Sequence, residues 1–289
     1  MTNDKDGFAL RDSVVAIVGL GLMGGSLALA LRGRCANIVA IDHDERTLDQ
    51  ARPFIGETST DLSLARTADV IVLAMPVRAI IEQMPRIGEL AREDAIVLDL
   101  GSTKREVVRA MENLPAHIQA IGAHPMCGKE TSGFDSADAN LFCNAPFVLT
   151  PLARTPASLV TRLSSLITHL GARPLILDAA RHDKIVAAIS HLPFALAAAL
   201  MMTAGESAHE DDLVFALAAN GFRDTSRLAA SDPTMMLDIL LTNRDNVAEA
   251  IRAGARNLET LADAIERGDE ISLHAMLQSA AEQRRGLFK

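Results

Sequence analysis

The sequence predicts an α/β domain followed by an all-helical one. Three observations carry that reading. Short apolar runs alternate with amphipathic stretches as far as about Asp178, the pattern of a parallel sheet covered by helices. The first apolar run ends in a glycine-rich turn. Beyond Asp178 strand signals stop, and segments rich in Ala, Leu, Ile and Met follow at helical period. The expected division is residues 1–178 for the α/β domain and 179–289 for the helical one.

In the first part, residues 14–18, 38–41, 70–74, 96–100 and 118–121 are short apolar runs that read as strands. Residues 27–31, 45–51, 79–90 and 104–111 lie between them and read as helices. A final set follows: strand 147–150, helix 157–170 and strand 174–177. In the second part, residues 246–267 place Val247, Ala250, Ile251, Leu258, Leu261 and Ile265 on a helical stripe. Residues 185–204 are apolar apart from Ser190, His191, Pro193 and Thr203, which is long enough for a membrane span. His191-Leu192-Pro193 interrupts the stretch and no aromatic belt flanks it, so a helix buried in a domain or dimer core is the preferred reading.

A chain of 289 residues with 49% hydrophobic content has room for two cores. Its net charge of −9 argues against a nucleic-acid partner and leaves any anionic substrate to local basic residues. Cys35, Cys127 and Cys143 are odd in number and lack metal-type spacing, so neither a disulfide framework nor a metal site is expected. A reducing cytoplasm is the expected compartment, and residues 1–6 lack the apolar core of a signal peptide. No internal repeat is visible and no C-terminal regulatory module is expected.

The strand at 14–18 runs into Gly19-Leu20-Gly21-Leu22-Met23-Gly24, a helix follows, and Asp42 ends the next strand. In that context the glycines read as the dinucleotide-binding turn of a Rossmann-type domain. Gly19 permits the tight turn, Gly21 lets backbone approach a pyrophosphate, and Gly24 lets helix and strand pack closely. Asp42 can accept from ribose hydroxyls and would repel a 2′-phosphate, so NAD is favoured; Arg46 nearby leaves NADP open. The cofactor set is Gly19, Gly21, Leu22, Met23, Gly24, Asp42, Pro76 and Ser102.

Ligands of open α/β sheets bind beyond the carboxyl ends of the strands. Two polar clusters fall there: Asp99-Leu100-Gly101-Ser102-Thr103-Lys104 and Gly122-Ala123-His124-Pro125. A histidine at such a strand end can take a hydroxyl proton while hydride leaves the same carbon.

At these residues the sequence resembles the prephenate/arogenate dehydrogenase family of tyrosine biosynthesis. The likeness covers the glycine turn, Asp99-x-Gly101-Ser102-Thr103-Lys104, Gly122-Ala123-His124-Pro125-Met126-Cys127-Gly128-Lys129-Glu130-Thr131-Ser132-Gly133 and His182-Asp183. It continues through Ser190-His191-Leu192-Pro193, the run from Gly221 to Ala229, and Asp232-Pro233.

The resemblance implies an NAD-dependent oxidative decarboxylation of prephenate or arogenate by a homodimer, with the site between the domains. It implies His124 as the base and Ser102 as the serine that shares the hydroxyl. Ser102 could instead cap the following helix. Arg227 matches the ring-carboxylate arginine, a task suited to a bidentate guanidinium, or it pairs with Asp224 or Asp232 on a surface. Asp183 matches an acid that orients this arginine, and Arg223 a basic residue near the substrate side chain. His191 reads equally as a pocket wall or a core histidine. Glu130 reads as a lid residue or a solvated loop charge, and Cys127 as inert.

Two positions depart from the family pattern. Phe194 stands where many prephenate-using members carry a second histidine, which favours arogenate or a relaxed choice. Met236 stands where some relatives carry a tryptophan that reaches across the dimer. A β-hydroxyacid dehydrogenase of the 6-phosphogluconate type would need a catalytic Lys and Asn that are not found. A non-catalytic NAD sensor would not need His124, Ser102 and Arg227 together.

Overall fold

The computed structural model describes residues 10–129 and 131–287. One sheet holds β1 (Val14–Val18), β2 (Asn37–Ile41), β3 (Glu57–Ser59), β4 (Val70–Leu73), β5 (Ile96–Asp99), β6 (Gln119–Pro125), β7 (Pro146–Pro151) and β8 (Arg173–Ile176). Their order is β3-β2-β1-β4-β5-β6-β7-β8. Helices α1 (Leu22–Leu31), α2 (Glu45–Ala51), α3 (Val77–Leu90), α4 (Arg105–Glu112) and α5 (Ala157–His169) cover it. The central strands are unbroken apolar runs because both faces are buried. Alternate residues feed two cores: Val15 and Ile17 pack with Leu27 and Leu163 on one face, Ala16 and Val18 with Ile80 and Val107 on the other. The chain winds outward from β1 to β3, then outward the other way from β4, so the switch point lies between β1 and β4.

Three features differ from the sequence reading. β3 is an additional strand; its Glu57-Thr58-Ser59 sequence is polar because it lies at the sheet edge. α1 starts at Leu22 rather than residue 27, with two glycines in its first turn. The sheet is not parallel throughout, because β7 pairs antiparallel with β6. Among the described residues of the segment joining them there is a short turn at Phe134–Ser136 and no crossover helix of the kind a parallel return uses.

The helical half contains α6 (Ala179–Val186), a π turn at Ala187–His191, α7 (Leu192–Glu210), α8 (Leu213–Ala216) and α9 (Asn220–Ser226). It continues through α10 (Pro233–Thr242), α11 (Arg244–Glu266) and α12 (Glu270–Leu287). The run from Ala179 to Glu210 is long and apolar enough to cross a membrane, and only 22% of its most apolar stretch is buried within one chain. Ile189, Leu196 and Met202 are exposed there, as are Leu258 and Ile265 on α11. Two of the ties that join the halves come from α10. Asp238 on α10 is buried and accepts from Arg78 at the start of α3. Thr103 Oγ1 lies 2.8 Å from Thr242 Oγ1. Within the helical half, Asn243 Nδ2 donates to the Asp183 carbonyl at 2.7 Å.

Candidate active site

The ends of β1, β4, β5 and β6 place four loops along one edge of the sheet. The glycine turn is the tightest. Gly19 has φ +93°, and a Cβ there would sit 2.8 Å from the Ala74 carbonyl oxygen. A Cβ on Gly24 would sit 1.9 Å from the Gly19 carbonyl oxygen. At Gly21 it would meet nothing within 4 Å, so the turn faces open space. Gly21 opens α1, and no side chain caps that helix. Uncapped N–H groups at a helix N-terminus, facing open space across a bare glycine, suit a pyrophosphate.

Asp42 is buried at the end of β2 and fastens this turn. Its Oδ2 accepts from Leu20 N at 2.6 Å, and its Oδ1 from Asp44 N at 3.0 Å. His43 Nδ1 lies 3.1 Å from the same Oδ1. Oδ2 keeps a second lone pair for a ribose hydroxyl. Leu22 and Met23 are half-buried in the first turn of α1, and Pro76 is exposed at the start of α3.

The β5 and β6 loops are locked together from beneath. Asp99 is fully buried; its Oδ1 accepts from Ala123 N at 3.1 Å and its Oδ2 from Gly101 N at 2.8 Å. The same Oδ2 pairs with the ammonium of Lys104, also fully buried. Burial pushes the Lys104 pKa down, and Asp99 opposes that shift. Gly122 has no room for a side chain, since a Cβ would lie 2.1 Å from Thr150 Oγ1. The result is a β6 end set rigidly against β5, with His124 half-buried near its tip.

Behind His124 stands a polar chain drawn from the helical half. His124 Nδ1 lies 2.9 Å from His182 Nε2, with the rings edge to face at 73°. His182 Nδ1 lies 2.8 Å from Asp183 Oδ1. Asp183 also accepts from Lys104 N at 2.7 Å and Arg105 N at 2.9 Å, so it caps α4 from another helix. Ser102 is therefore not the cap of α4, and it sits half-buried in the loop before it. Burial, then the neighbouring His182, Lys104 and His191, hold the His124 pKa well below the usual histidine value. His124 is neutral near pH 7 and able to accept a proton.

Residues 27–176 match the family model for the nucleotide-binding domain of prephenate dehydrogenase, and residues 178–279 match that for its dimerization domain. The chain belongs to the prephenate dehydrogenase family. It is 33% identical over 279 residues to the prephenate dehydrogenase of Lactococcus lactis subsp. cremoris, covering 94% of this chain and 77% of that one. The crystal structure of prephenate dehydrogenase from A. aeolicus with hydroxyphenyl propionate and NAD+ superposes at a TM-score of 0.90 and 32% identity, covering 96% of this chain and 99% of that one. Synechocystis arogenate dehydrogenase gives a TM-score of 0.81 at 32% identity, covering 94% and 99%.

Against the pattern expected of a prephenate dehydrogenase, the structure gathers some predicted residues and separates others. Asp183 requires correction: it turns to the α4 N-terminus and His182 rather than to an arginine. His191 is a core histidine at 2% exposure, with Nδ1 3.3 Å from Asn243 Nδ2. Burial lowers its pKa to about 4. Met236, the second position that departs from the family pattern, is buried within its own chain.

Arg227 is exposed at the start of the turn Arg227–Ala230. Asp232 caps α10 through Met235 N at 2.7 Å. Arg223 is exposed beside Asp224 at 3.4 Å. Phe194 is half-buried in the first turn of α7. Burial raises the Cys127 thiol to about 11, in keeping with an inert residue. Glu130 lies outside the described residues.

Sequence reasoning gave no role to His182, Asn243, Asp238 or Thr242. His182 had one signal, its place beside Asp183 in a family motif. The other three are scattered polar residues whose partners lie 60 or more positions away.

Proposed function

We propose that this chain is an NAD-dependent dehydrogenase that oxidatively decarboxylates prephenate, arogenate or both, for tyrosine biosynthesis. The observation that carries the reading is a neutral, buttressed His124 on the same sheet edge as an open glycine turn. Both substrates have a ring carbon that bears a hydroxyl and, across the ring, a carboxylate. NAD bound at the turn accepts the hydride from the hydroxyl-bearing carbon. His124 withdraws the hydroxyl proton, and Ser102 shares that hydroxyl. Arg227 holds the ring carboxylate until it leaves as carbon dioxide, and Arg223 meets the side chain. The electron pair released becomes part of the aromatic ring, which drives the step. The Asp42 carboxylate favours NAD over NADP.

The same reading divides the chain at about residue 178 and pairs two copies through the helical half. The exposed apolar faces of α7 and α11 support a partner surface, as does the match to a dimerization domain. A reducing cytoplasm suits the three free thiols.

NADH formation, followed by absorbance with prephenate and arogenate offered separately, tests the activity. Turnover with either substrate supports it. Silence with both, when NAD binding has been demonstrated, removes it.

A further inference from the structure

The chain of groups behind His124 has a direction that its own hydrogen bonds fix. Asp183 accepts from two backbone N–H groups at the start of α4, Lys104 N and Arg105 N. A carboxylate in that position offers only acceptor lone pairs to its third neighbour. That neighbour is His182 Nδ1, 2.8 Å from Asp183 Oδ1, so Nδ1 carries the hydrogen. A His182 ring with a single hydrogen, placed on Nδ1, has a bare Nε2. Nε2 lies 2.9 Å from His124 Nδ1, which must supply the hydrogen of that bond. With Nδ1 protonated, the remaining ring nitrogen of His124, Nε2, is a bare lone pair. The opposite arrangement would set the bare Nδ1 of His182 against an acceptor-only carboxylate in a fully buried pair.

We propose that His182 and Asp183 are positioning residues that hold His124 as its Nδ1–H tautomer and so leave Nε2 free to take the substrate proton. The inference rests on the reading of His124 as the base. When Nε2 gains the proton, the Nδ1–H bond to His182 strengthens, and His182 hands the polarisation on to the Asp183 carboxylate. No proton leaves the chain in this step, and none is added beyond the one the hydroxyl gives up. The helical half thereby sets the reactivity of a base carried by the α/β half. Asn243 anchors the arrangement, since its Nδ2 donates to the Asp183 carbonyl at 2.7 Å.

The test pairs histidine ¹⁵N NMR with kinetics on the full chain. In the wild type, His124, assigned through its loss in His124→Asn, is expected as the Nδ1–H tautomer. Asp183→Ala removes the carboxylate that holds the hydrogen on His182 Nδ1, so His124 should no longer be fixed as the Nδ1–H tautomer. Its kcat should fall about 10²–10⁴-fold, with the KM for NAD within twofold. His182→Gln can accept from His124 through Oε1 and donate to Asp183 through its amide. It should keep the Nδ1–H tautomer and recover most of the activity lost in His182→Ala.

An Nε2–H tautomer for wild-type His124 overturns the proposal. So does an unchanged tautomer and kcat in a folded Asp183→Ala. If that variant does not fold, the wild-type tautomer and the Gln-against-Ala comparison at His182 still decide. A wild type inactive on both substrates defeats the proposed function, while the tautomer measurement continues to judge this chain of bonds separately.

Discussion

The α/β half buries its apolar residues against itself, whereas the helical half leaves most of its own in the open. The buried residues of both large cores all lie between the start of β1 and the start of β8. Among the described residues after β8, only Val186, Ala187, Ala197, Met236, Ile239, Val247 and Ala264 are buried apolar side chains. Beside them His182, Asp183, His191, Asp238 and Asn243 are buried and polar. What the helical half buries within one chain is thus a few apolar side chains and nearly as many hydrogen-bonding groups, and several of the latter reach the other half. Its apolar surface is left for something outside the chain. On the proposed function, one half is a scaffold for the cofactor and base, and the other a buttress for that base plus an interface.

The sharpest way to break this division of labour is His124→Ala. It should cut turnover about 10²–10⁴-fold and leave NAD binding unchanged, because the glycine turn belongs to a separate loop. Near-normal turnover, with binding followed by fluorescence titration, would remove His124 as the base. Next in size is the interface. Met202 is 68% exposed on α7, so Met202→Glu should cost little in a lone chain. If a second copy covers that face, the charge must be desolvated, at about 3 kcal/mol or more, roughly a hundredfold in the dimer Kd. Sedimentation velocity reads the result. A wild type that sediments as one chain at micromolar concentration sinks the dimer reading outright.

The sequence was most legible where burial is periodic and local. The residues of β1, β4 and β5 are continuous apolar runs, and the glycine turn announces itself through close packing that only glycine allows. The place of His124 near the end of β6 was legible because a strand end is a fixed address in an open sheet. Asp183 was not, since its place in a motif says nothing about which way its carboxylate turns. Here the carboxylate is taken up by the N–H groups at the start of α4 and the ring of His182. β3 escaped because a polar edge strand has no alternation to detect. The antiparallel β7 escaped because strand direction is set by the connection, not by the strand's own residues.

His191 sharpens the comparison through pH. Unfolded, it takes a proton near pH 6.5; folded, burial holds that event off until about pH 4. Between those values the unfolded chain binds more protons, so stability rises with pH there and falls as pH is lowered. The loss should approach roughly 3 kcal/mol by pH 4, at about 1.4 kcal/mol per unit. His124, shifted the same way, adds to the slope. Thermal unfolding at fixed protein concentration across pH 4–7 measures it, and His191→Gln should flatten the curve. An identical slope in the variant would mean that the buried pair with Asn243 does not stay neutral in the fold.

The smallest expected effect concerns substrate choice. Phe194 is half-buried one turn into α7, three positions after His191 on the same helical run. A phenyl ring there offers no hydrogen bond to a substrate side chain, so it gives no preference for a pyruvyl carbonyl over an amino-acid group. Phe194→His supplies a donor without changing the helix. One added hydrogen bond is worth about 1 kcal/mol, so the ratio of kcat/KM for prephenate over arogenate should rise about five- to tenfold. Both values are measured with saturating NAD, so that only the substrate half of the site is compared. A ratio that does not move would place the side chain of the substrate away from α7, and would move the determinant of choice to Arg223 and the turn that carries Arg227.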